Sequence, residues 1–140
     1  MSDVASALAD TIAADDPLLA AAVAERPALA DGHPADAARG PRAASDPEAY
    51  RFALEAIHEG HLLHNGGGRL VVTDDLDLRL LAGDRLYAEG LERVAALDDV
   101  EAIVELSRLI VRCSVAKADL EPEAADSAWA EACSVIGGLA

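Results

Sequence analysis

Apolar residues along this chain recur at helical rather than strand spacing, in runs that start at capping residues and stop at glycine or proline. Ser2 is placed to cap a first short helix reaching about Ala14. Asp15-Asp16-Pro17 stops it and starts a second. Asp16 suits the N-cap, where its carboxylate accepts from a free backbone N–H, and Pro17 suits the first turn, where a missing N–H costs nothing. The second helix reads on to about Ala30, before Asp31-Gly32. Residues 31–46 carry glycine and proline breakers and no apolar periodicity, which predicts the longest and most mobile loop of the chain.

Asp46-Pro47-Glu48 repeats the same cap grammar and opens a third helix to about His64, which Asn65-Gly66-Gly67-Gly68 ends. Residues 69–72 are short and apolar and read as an extended lead-in. Thr73 then caps a long fourth helix to about Leu97, with Asp74, Asp75 and Asp77 in its electropositive first turn. Its apolar stripe is Leu76, Leu80, Gly83, Tyr87, Gly90 and Val94. Asp98-Asp99 caps a fifth helix over 100–118, marked by Ile103, Leu106, Ile110 and Cys113, and a last helix covers about 122–136 before Gly137-Gly138. The expectation is an all-α chain: one domain over 1–140, a bundle of five to six helices.

Gly83 and Gly90 interrupt the longest helix at a cost of about 1 kcal/mol each relative to alanine. They lie seven residues apart on one face with Tyr87 between them. This predicts a contact surface of Gly83, Tyr87 and Gly90 where another helix crosses at short distance. The crossing helix is either another helix of the same chain or the same helix of a second copy.

Composition sharpens this picture. The 140 residues are 52% hydrophobic, which excludes intrinsic disorder. Aromatics are limited to Tyr50, Phe52, Tyr87 and Trp129, so the core must be built of aliphatic residues, and alanine alone accounts for 32 positions. The net charge is −15, from 15 Asp and 11 Glu against ten Arg and one Lys. Such a surface repels nucleic acid phosphates and anionic membranes. Abundant Asp, scarce Lys and small apolar residues together resemble proteins of salt-in halophiles. Cys113 and Cys133 stand among apolar residues, and residues 1–4 lack the basic start of a secretory segment. Two buried free thiols in a reducing cytoplasm are therefore expected. No apolar run reaches the length of a membrane span.

One cluster could carry chemistry. His58, His61 and His64 follow at three-residue steps, which places them within roughly a 120° arc of a helix. With Glu55 or Glu59, they could hold a divalent metal, and Glu55-x-x-His58 matches half of the motif of carboxylate-bridged di-metal bundles. A second Glu-x-x-His is absent, and the His58–His61 spacing is not that of His-Glu-x-x-His zinc sites. The alternative is a half-buried helix face whose histidines bond to their neighbours. Asp74, Asp75 and Asp77 likewise read either as a Mg²⁺ or Ca²⁺ site or as helix-capping carboxylates. No G-x-S-x-G, phosphate loop or C-x-x-C is present, so no catalytic residue and no organic cofactor is expected.

Residues 80–91, Leu-Leu-Ala-Gly-Asp-Arg-Leu-Tyr-Ala-Glu-Gly-Leu, resemble the LAGD-x-L helix of trans-isoprenyl diphosphate synthases. Ala56-Ile57-His58-x₅-His64 is similar to the preceding helix of that family. The likeness covers about residues 50–118. Where the family continues into its aspartate-rich motif, this chain has Asn65-Gly66-Gly67-Gly68, so the aspartates that would hold Mg²⁺ against the diphosphate are missing. The chain is more similar to the small, non-catalytic subunit of two-component heptaprenyl diphosphate synthases, in which an LAGD-type helix also precedes a segment like 104–110. The resemblance implies a helical interaction module without its own catalysis, which pairs with itself as a homo-oligomer or with a partner subunit. It also places the histidine helix of the same chain beside the LAGD-type helix; the expected contact surface for the pairing is the Gly83/Gly90 face. A metal protein using the histidine face is the alternative reading.

The charge makes a direct prediction. With 26 acidic groups against 11 basic ones, molar KCl should raise the thermal midpoint by shortening the Debye length to about 3 Å. A midpoint unchanged or lowered between dilute and molar KCl would show that the acidic surface is not adapted to salt.

Overall fold

The computed structural model describes residues 3–139. It is all-helical, with 74% of the chain in helix. In order come α1 (Val4–Asp15), α2 (Pro17–Ala22), α3 (His33–Ala38), a 3₁₀ turn (Pro41–Ala43), α4 (Pro47–His64), α5 (Leu76–Ala96), α6 (Val100–Ala118) and α7 (Pro122–Gly137). The seven α-helices among the described residues exceed the five to six expected because the chain between Pro17 and Asp46 is divided differently from its sequence reading. Among the described residues the only extended pairing is one antiparallel bridge, Val23 to Val71.

Several boundaries move for identifiable reasons. Asp3 caps α1 by accepting from the Ala5 N–H at 3.0 Å; Ser2 lies outside the described residues. The second helix stops at Ala22, not Ala30, because Val23 turns extended and the backbone hydrogen bonds go elsewhere. Ala24 N–H donates to the Leu70 carbonyl and Val72 N–H to the Ala22 carbonyl, both at 2.8 Å. The cap of α5 is Asp75 rather than Thr73. Asp75 accepts from Leu78 N–H at 3.2 Å, while Thr73 accepts from Asp75 itself at 3.1 Å. Of the three aspartates, only Asp77 falls within the first helical turn.

The expected loop over 31–46 is also corrected. It contains α3 and the 3₁₀ turn, and buries Pro34, Ala35, Ala37, Ala38 and Ala43. Apolar periodicity misses such a segment because its core residues are alanine and proline rather than leucine. Their small side chains permit backbone contact instead: Gly40 lies against the Gly137 carbonyl, and any side chain there would overlap it.

The chain divides into two compact units. Unit 1 holds residues Met1–Ala30 and Phe52–Gly90. In it α1 packs on α2, and Leu8, Ile12, Leu19, Phe52, Leu63, Leu70 and Leu86 belong to one buried cluster. From 52 to 60, every α4 residue except His58 is buried. A helix buried on nearly all sides needs apolar residues on nearly all sides, and Phe52, Ala53, Leu54, Ala56 and Ile57 supply them.

Unit 2 holds Asp31–Arg51 and Leu91–Ala140, with α7 packed on α6, α3 and the 3₁₀ turn. Asp99 organises it. This residue caps α6 by accepting from Ala102 N–H at 3.1 Å, and also accepts from Arg42 at 2.8 Å and from the Tyr50 hydroxyl at 2.6 Å. Arg42 also donates to the Ile136 carbonyl near the end of α7, at 3.0 Å. Cys113 and Cys133 are buried and not joined in a disulfide, and burial pushes the Cys113 thiol up to about 11.

The glycines of α5 lie against α4 of the same chain. A methyl group on Gly90 would stand 2.5 Å from Ile57 Cγ1 and 2.7 Å from the Ala53 carbonyl oxygen. One on Gly83 would stand 2.8 Å from the His64 ring, and Gly60 of α4 meets the Gly83 carbonyl in return. The buried line of α5 is Ala82, Gly83, Leu86, Gly90 and Val94, while Leu76 of the expected stripe is exposed. Gly90→Ala should therefore destabilise the protein by about 1–3 kcal/mol through overpacking, despite a gain of about 1 kcal/mol in helix propensity. Urea unfolding of the two chains decides this, and a more stable Gly90→Ala would mean that the two helices do not meet as described.

Candidate functional site

The richest concentration of polar side chains in unit 1 is on α4 and the segment that follows it. Glu55 and Glu59 are one helical turn apart and face inward, 1% and 0% exposed. Removing two carboxylates from water is expensive unless each gains charge-assisted hydrogen bonds. Arg69 supplies them. Its Nε donates to Glu59 Oε1 at 3.2 Å and its Nη1 to Glu55 Oε1 at 3.0 Å. The backbone supplies the rest: Arg69 N–H donates to Glu59 Oε1 at 3.0 Å, and Leu70 and Val71 N–H donate to Oε2 at 2.8 and 3.1 Å. Gly68 comes so close to Glu59 Oε2 that no side chain fits there.

Electrostatics follow from this geometry. Burial raises the Glu55 carboxyl, but the nearby His58 ring and the charge and hydrogen bond of Arg69 outweigh it and hold the group below its ordinary value of 4.5. Asp99 in unit 2 follows the same logic. Burial works against its charge, and hydrogen bonds from Tyr50, the Ala102 amide and Arg42 bring it below 3.8. The phenol of Tyr50 is pushed up to about 12, first by burial and then by its bond to Asp99.

The histidines of the expected metal set take separate partners. His58 Nδ1 lies 3.9 Å from Glu55 Oε1, and its ring stacks on His61 with centroids 6.4 Å apart. His61 Nδ1 meets the Asn65 amide at 3.2 Å. His64 pairs through Nε2 with Asp84 of α5 at 2.9 Å and stacks on Tyr87, 5.1 Å between centroids. The set Glu55, His58, His61 and His64 therefore does not converge on one point. Among the described residues no group of three or more His, Cys, Asp or Glu side chains is disposed to hold a metal ion. The reason is the helix itself. Side chains three residues apart share an arc but project from successive turns, and here each finds a different neighbour.

Sequence reasoning took Glu59 only as an alternative metal ligand to Glu55 and missed Arg69; the structure gives Glu59 to Arg69 and the backbone of residues 69–71 instead. The signal was available: between Phe52 and Leu63 apolar residues occupy so much of the helix that Glu55 and Glu59 have no polar face to lie on, and a buried carboxylate pair demands a nearby arginine. Comparison with protein-family models, curated proteins and solved structures finds no match.

Two outcomes test this account of the site. Glu59→Gln places amide hydrogens against backbone donors and should cost about 3 kcal/mol, whereas Glu55→Gln, with fewer bonds to lose, should cost less. The folded protein binds fewer protons at Glu55 and Asp99 than the unfolded chain does just below their ordinary values. The stability that these groups contribute is thus complete above about pH 5 and is lost as pH falls through the lowered folded values. Urea midpoints that are flat from neutral pH down to the acid limit would contradict both shifts.

Proposed function

We propose that the chain is a non-catalytic helical subunit that works by binding a protein surface. The observation that carries this reading is on α6. Val100, Val104, Val111 and Val115 are 69%, 41%, 61% and 54% exposed, on a helix whose other side is buried through Leu106, Leu109 and Cys113. A helix apolar on two sides has one side more than a lone chain needs, and exposed valines are poor helix formers. The most specific form of the reading draws on the resemblance of residues 50–118 to the small subunit of two-component heptaprenyl diphosphate synthases. It is supported by the glycine run that stands in place of the aspartate-rich motif.

Native mass spectrometry of the protein isolated from its source tests the proposal. A stable complex is expected, with a second copy or with a different chain, and the protein recovered only as a monomer contradicts it. Allylic and isopentenyl diphosphates supplied to the purified chain should show no turnover; condensation by the chain alone would overturn the non-catalytic reading.

A further inference from the structure

We infer that the exposed face of α6 binds the same face of a second copy of this chain, antiparallel about a two-fold axis passing near Ser107 and Arg108. This inference rests on the reading of the chain as a binding subunit and names its partner. The four exposed valines follow at steps of four, seven and four residues. On a helix they fall within roughly a 60° arc, in a stripe about 22 Å long. The spacing reads the same in both directions. An antiparallel copy therefore sets Val100 against Val115 of the second chain and Val104 against Val111. That is the condition for an isologous interface, in which each contact occurs twice.

The charges beside the stripe obey the same symmetry with opposite sign. Glu101 and Glu105 flank its N-terminal half, and Arg108 and Arg112 flank its C-terminal half on the same side. Within the chain these four make surface pairs, Glu101 with Arg42 at 3.3 Å, Glu105 with Arg108 at 3.6 Å and Arg112 with Glu131 at 2.8 Å, which exchange readily for pairs across an interface. Antiparallel pairing brings each flank against itself reversed, so Glu101 comes within about two residues, or about 3 Å along the axis, of the position facing Arg112 of the second copy, and Glu105 likewise of Arg108, within reach of these long side chains. A parallel copy would bring no such match. The location also suits self-association in a chain of net charge −15, because α6 carries three basic residues, Arg108, Arg112 and Lys117, against two acidic ones. Long-range repulsion between copies is weakest where such a helix makes the contact.

A separate observation lies at the end of the stripe. Leu120 follows the C-cap of α6 with a φ of 57° and is 86% exposed. The chain turns there with Leu120 N–H donating to the Lys117 carbonyl and Glu121 N–H to the Ala116 carbonyl, an ending in which glycine normally takes the left-handed position. A leucine held in that conformation and left in water is costly in both respects. At the end of the stripe, it is placed to extend the apolar contact beyond the helix.

The experiment uses the full chain in molar KCl. Sedimentation equilibrium should show a dimer, and Val104→Lys/Val111→Lys should return a monomer of unchanged helix content, since both side chains are exposed. Orientation is read by disulfide trapping. Val104→Cys and Val111→Cys chains, oxidised gently, should cross-link when mixed and not when each is alone; the native thiols are buried. A monomeric wild-type chain, a dimer indifferent to the two lysines, or cross-linking within a single cysteine variant would each overturn the inference. The subunit reading is judged separately, by what the protein from its source is bound to.

Discussion

Two carboxylates buried in the middle of a helix would unfold that helix unless something met every lone pair, and much of unit 1 is arranged to do so. Glu59 receives three consecutive backbone N–H groups, from Arg69 to Val71, together with the Arg69 guanidinium. The accounting runs the other way as well. A short extended segment has backbone donors that no helix satisfies, and Glu59 is where they go. The outer edge of that segment bonds to the chain at Ala22 and Ala24. One side chain therefore fixes where α4 ends, how the chain returns, and where α2 must stop.

The close approach of α4 and α5 completes the arrangement. Gly60, Gly83 and Gly90 remove the side chains that would hold the two helices apart, and of the histidines His64 lies in that contact, against Gly83. His64 spans to Asp84 and stacks on Tyr87, so it ties one helix to the other. A face that reads as metal ligands in one dimension becomes a set of separate pairings in three.

How much of this was legible in the sequence depends on residue type. The helices α4, α6 and α7 were readable to within a residue or two because Asp-Pro, Asp-Asp, Glu-Pro and Gly-Gly mark their ends, and leucine and isoleucine mark the inward faces of α4 and α6. The glycine contact was readable because interior glycine in a long helix has a known cost. The segment 31–46 was not, because alanine and proline form its buried side and carry no periodic signal. The Glu59 site was not, because a glutamate in a helix ordinarily faces water, and only the absence of a polar face around it says otherwise. The exposed valines of α6 were hidden for a related reason: valine reads as core until a structure shows which side of the helix is already covered.

Native-state hydrogen exchange of the Leu70 and Val71 amides tests the central claim most directly, that the buried Glu59 carboxylate holds the return segment. Both amides belong to a segment with a single bridge and no strand, where rapid exchange would be ordinary. The account predicts that they exchange only through global unfolding, with protection matching that of the α4 core, and that Glu59→Ala abolishes this protection while α6 amides keep theirs. Fast exchange of Leu70 and Val71 in the wild-type protein would contradict it.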